Sequence, residues 1–85
     1  MEAVETRVAV IAIIVRQGTQ VAALNELLHE YGEYVIGRMG IPYRAKNINI
    51  ISIAIDAPQD KINTLTGRIG KLHGVSAKAA YSKAD

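Results

Sequence analysis

The hydrophobic pattern changes period along the chain, and each change marks an element. From Arg7 to Val15 apolar residues fill both alternating sets, so this run reads as a strand covered on both faces and therefore central in a sheet. Gln17-Gly18 interrupts it. Thr19 then stands where a helix cap belongs, ahead of Val21, Leu24, Leu27, Leu28 and Tyr31 at helical spacing, and Gly32 closes that helix. Tyr34 to Ile41 reads as a second strand, in which Gly37 and Gly40 point to a bulge or a close backbone approach. Pro42 to Asn47 makes a turn. Ile48 to Ile55 is a third strand and again central, with Ile48 and Ile50 on one face and Ile51, Ile53 and Ile55 on the other. Pro58 suits the first turn of a helix that directs Ile62, Leu65, Ile69 and Leu72 inward. Gly74 ends it, and Val75 to Tyr81 supplies the last strand.

Strand, helix, strand, strand, helix, strand is the split βαβ pattern. It predicts an α+β, ferredoxin-like βαββαβ sandwich, with a four-stranded antiparallel sheet and two helices on one face. The whole chain, 1–85, is expected to form one such domain, with its ordered core at about 6–81 and a frayed tail. The opposite sheet face lies open, yet the first and third strands are apolar on both sides. An apolar face of that kind marks an interface. Ile11, Ile13, Ile51 and Ile53, from the middle of these strands, are the candidate interface residues.

Composition strengthens the case for self-association. A domain of this size buries only roughly 60 to 65% of the surface of its unfolded chain. With no Cys, neither a disulfide nor a thiolate metal site adds stability, and with no Phe or Trp the core rests on Ile, Val, Leu and Ala. A homo-oligomer, a dimer or a dimer of dimers, is the expected remedy. Net charge is only +2 and the basic residues are scattered, which disfavours direct nucleic-acid binding. Val8 to Val15 is far too short to span a bilayer, so no membrane role is expected. Met1 to Thr6 lacks the features of a secretory signal, which leads us to expect a cytoplasmic location.

Leu28-His29-Glu30-Tyr31-Gly32, Ile36-Gly37-Arg38-Met39-Gly40-Ile41-Pro42-Tyr43 and Leu65-Thr66-Gly67-Arg68-Ile69-Gly70-Lys71-Leu72-His73-Gly74-Val75 resemble the family of iron-only hydrogenase system regulators. The likeness covers nearly the whole chain. It implies an ACT-like domain, similar to the ligand-sensing C-terminal domain of nickel-responsive repressors, whose copies pair through sheets or edges and bind effectors between them. It implies no catalytic residues. Those repressors carry a ribbon-helix-helix segment ahead of the sensor domain. Only about six residues precede the first strand here, so the expectation is that any transcriptional effect needs a partner.

The residues themselves offer one candidate site. Gly37, Arg38, Met39, Gly40, Tyr43 and Arg44 combine an accessible backbone, two guanidinium groups suited to carboxylate or phosphate, and a phenol. A small anionic or amino-acid-like effector, held where this segment lines a cleft between subunits, is the expected ligand. The competing reading makes the glycines relief at a bulge and Arg38 a surface or intersubunit ion pair. Gly67 and Gly70 sit inside the second helix at a cost of about 1 kcal/mol each relative to Ala, explained either by close packing or by amides exposed to an effector. His29 and His73 are the only imidazoles and do not rebuild the nickel site of the repressors, and no other cofactor is indicated. Ser52 has no histidine or aspartate pattern beside it, so no catalytic set emerges. A ligand-sensing regulatory domain leads, then, over an assembly module without a ligand, and over a small enzyme or metal-binding protein.

Overall fold

In a computed structural model, residues 5–16 and 21–83 are described; the break at Gln17-Gly18 and the helix cap at Thr19 lie outside them. The elements are β1 (Arg7–Arg16), α1 (Val21–Glu30), β2 (Val35–Tyr43), β3 (Ile48–Ala57), α2 (Gln59–Gly70) and β4 (Val75–Tyr81). The antiparallel sheet has the order β2-β3-β1-β4, which makes β1 and β3 the central strands. Both apolar helix faces meet the same side of it. Leu24, Leu27 and Leu28 of α1 and Ile62, Leu65 and Ile69 of α2 form one core with Ile11, Ile13, Val15, Ile53 and Ile55. This is the ferredoxin-like arrangement. No helix among the described residues is long and apolar enough to cross a membrane.

Local chemistry explains the boundaries. Pro58, which has no N–H to donate, stands just before α2, and its carbonyl accepts from the Lys61 and Ile62 amides at 2.9 and 3.2 Å. Gly74 takes φ 76°, a left-handed conformation that costs glycine little, and so turns α2 into β4. Gly32 does not repeat that device, because α1 runs instead into a short 3-10 turn, Gly32–Tyr34, closed by the Tyr34 amide on the Tyr31 carbonyl. β2 continues to Tyr43 where the sequence pattern stops at Ile41. The turn is correspondingly tighter, a 3-10 turn at Arg44–Lys46 followed by Asn47 at φ 54°.

Polar clasps tie the layers at their rims. Arg68 of α2 donates to the Tyr31 hydroxyl at 3.2 Å and pairs with Glu30 at 3.0 Å, joining the two helices. The Tyr31 hydroxyl, and then the Glu30 carboxylate, raise the Arg68 pKa. Arg7 stacks over Tyr81 at 4.6 Å and donates to the Gln59 side chain and the Ser82 carbonyl, while the Tyr81 hydroxyl donates to Asn63.

A Cβ added to Gly67 would meet nothing within 4 Å outside its own helix, so packing against the sheet does not account for this glycine. Gly67→Ala is expected to stabilise the chain by about 1 kcal/mol, raising the thermal midpoint by roughly 4–8 °C for a domain of this length. Calorimetry of both proteins checks this. A lower midpoint together with a smaller assembly places a second copy against α2 instead.

Candidate functional site

From Val8 to Arg16, β1 alternates between exposed and buried positions, and this parity decides what each side of the sheet offers. Ile11, Ile13 and Ile53 are fully buried beneath the helices, and Ile51 nearly so. These four expected interface residues are therefore core, and no partner can reach them. The complementary set faces away from the helices. It comprises Val8, Val10, Ala12 and Ile14 on β1 and Ile50, Ser52 and Ala54 on β3, joined in register by Met39 and Ile41 from β2. Ile14 is 45% exposed, Ile41 55% and Met39 63%.

β2 reaches the sheet edge through a bulge between Val35 and Gly37. Val35 pairs with Ile55 on the helix side. Past the extra residue, Ile36, it is Arg38 and Gly40 that pair with the helix-side Ile53 and Ile51, while Gly37, Met39 and Tyr43 pair with outward-facing Ala54, Ser52 and Ile48. Strand alternation thus divides the six residues expected to form one site. Gly37, Met39 and Tyr43 belong to the helix-free face. Arg44 lies in the turn, where it lines a small hollow together with Tyr43 and Asn47. Arg38 and Gly40 share a different cavity.

That cavity is a groove of about 240 Å³ between α1 and β2. Val15, Leu24 and Ile51 line it from the core, Val21, Ile41 and Pro42 from its rims, and Asn25, Arg38 and Asn49 supply its polar side chains. Arg38 Nη2 donates to Asn25 Oδ1 at 3.1 Å. Since a guanidinium only donates, the Asn25 oxygen must face it, which leaves the amide NH2 as a free pair of donors. A second hollow, lined by Leu28, His29, Gly32 and Val35, adjoins on the far side of Asn25 and Arg38. Asn25 and Asn49 are not evident from local sequence, because each is more than ten positions from Arg38 and reads as an ordinary solvated polar residue. Among the described residues, no group of three or more His, Asp or Glu side chains converges on a possible metal position.

The fold and the sequence lead to the same relatives. The uncharacterized protein TM1266 from Thermotoga maritima has a solved structure that superposes with a TM-score of 0.89 at 32% identity, over 93% of this chain and 100% of that one. No curated protein matches the chain. Residues 7–79 match the TM1266-like family, described as "Iron-only hydrogenase system regulator, putative". With nearly every element inside the matched span, and the same fold in a relative of about the same length, the chain belongs to this family of hydrogenase-system regulators.

Proposed function

We propose that the chain is a non-catalytic regulatory domain that self-associates through the helix-free face of its sheet and takes a small anionic effector at Arg38. One observation carries the reading. Four successive outward residues of β1, Val8, Val10, Ala12 and Ile14, are apolar where a solvated strand face carries polar residues, and the set ends at Arg16. The outward residues of β3 and β2 continue the surface with Ile50, Met39 and Ile41. A second copy is the occupant that suits it. Asp56 and Lys78 lie on the same face without partners among the described residues, and a face-to-face pair about a two-fold axis can offer each to the opposite charge on the other copy. Membership of a regulator family supports a role in binding rather than catalysis.

Sedimentation equilibrium at micromolar concentration tests the assembly. The expected result is a dimer or a dimer of dimers. A monomer overturns the reading.

A further inference from the structure

We propose that the groove between α1 and β2 binds a short aliphatic carboxylate, with Arg38 holding the carboxylate and Val15, Leu24 and Ile51 receiving the hydrocarbon. The proposal rests on the effector reading above and names the class of that effector. Arg38 has five N–H donors, and its partner among the described residues is the single oxygen of Asn25. Among the described residues no acidic side chain lines the groove, so within that set nothing compensates the cation beside its apolar wall. A planar guanidinium fork matches a carboxylate through two parallel hydrogen bonds, and the free NH2 of Asn25 lies beside it.

The rest of the lining narrows the choice. Because the wall is mainly apolar, a compact, strongly hydrated anion such as phosphate would bury its charge without enough donors. A free amino acid fits less well than its deaminated counterpart, because no carboxylate among the described lining residues answers an ammonium. The volume lies below the roughly 300–1,000 Å³ of pockets for drug-sized ligands, which favours a short chain.

Gly40 keeps the groove open. A Cβ there would point toward Ile51 Cγ1 at 4.0 Å, an ordinary contact, so a larger side chain fits the fold but occupies the space. Gly40→Val is therefore a plug whose first side-chain atom meets no clash.

The test is an NMR titration of the full chain with 4-methylpentanoate, leucine, 4-methylpentanamide and inorganic phosphate, with light scattering on the same samples. 4-Methylpentanoate should give saturable shifts centred on Leu24, Asn25, Gly40 and Ile51. Leucine and the amide should bind about tenfold more weakly or worse, as should 4-methylpentanoate to Arg38→Ala, the size expected for losing a hydrogen bond between charged groups. Gly40→Val should keep a folded spectrum and lose binding. Absence of saturation in the wild type, equal affinity in Arg38→Ala, or leucine binding as tightly as 4-methylpentanoate overturns the proposal. Phosphate binding that depends on Arg38, without binding of 4-methylpentanoate, leaves the effector reading standing and sinks only this class of ligand. No anion binding in a sample that remains assembled sinks both and leaves self-association untouched.

Discussion

Ile14→Asp should leave the chain folded and break its assembly, whereas Ile13→Asp, one residue earlier, should leave it unfolded. Ile13 is fully buried and pairs across the sheet with Ile51 and Ala77. A carboxylate there has no cation within the core, and the effective penalty for burying an unpaired charge is several kcal/mol. Total stability of a domain is about 5–15 kcal/mol, and this domain lies at the small end of the size range. Far-ultraviolet circular dichroism should therefore lose the β and helical signal of Ile13→Asp at 25 °C. Ile14 pairs with Ile50 and Ser76 on the helix-free face, where an aspartate in an isolated chain is hydrated and costs little. In a face-to-face assembly it meets the apolar surface of the second copy, and sedimentation should show monomer at concentrations where the parent protein is associated. An Ile14→Asp protein that still assembles would take the interface away from this face. A well-folded Ile13→Asp would contradict the strand's orientation.

Leu65→Ala should cost about 2–5 kcal/mol, the range for truncating a buried leucine and leaving a cavity. Leu65 is fully buried at the centre of the apolar stripe of α2, between Ile62 and Ile69, which are also fully buried. With no cysteine to form a disulfide, the chain depends on this stripe to hold α2 to the sheet. Urea unfolding followed at one fixed protein concentration measures the change, since the midpoint of a self-associating chain depends on concentration. A shift below about 1 kcal/mol would mean that the core collapses around the missing atoms or that α2 is loosely docked.

The element order, the central positions of β1 and β3, and the bounds of β4 were legible in the sequence because period-2 and helical spacings are local signals. Orientation was not. β1 and β3 are apolar in both alternating sets, so periodicity cannot say which set meets the helices, and Ile11, Ile13, Ile51 and Ile53 fell on the wrong side for that reason. Of the six residues that the sequence groups together, Arg38 and Gly40 line the groove. Reading Gly37 to Arg44 as one cluster follows adjacency along the chain, whereas a strand sends neighbours to opposite faces. The companions of Arg38, Asn25 on α1 and Asn49 on β3, are brought to it by tertiary folding.

The bulge at Ile36 gives β2 a second reading frame. In regular pairing from Val35 and Ile55 onward, Met39 and Ile41 would turn toward the helices, and Arg38 and Gly40 would turn outward. The unpaired residue exchanges the two sets for the rest of the strand. It thereby delivers Met39 and Ile41 to one surface and Arg38 and Gly40 to the other in a single step. The two surfaces are thus the two sides of one phase choice. Any event that straightened the bulge would invert both together, withdrawing apolar side chains from the open face as it withdrew the guanidinium from the groove.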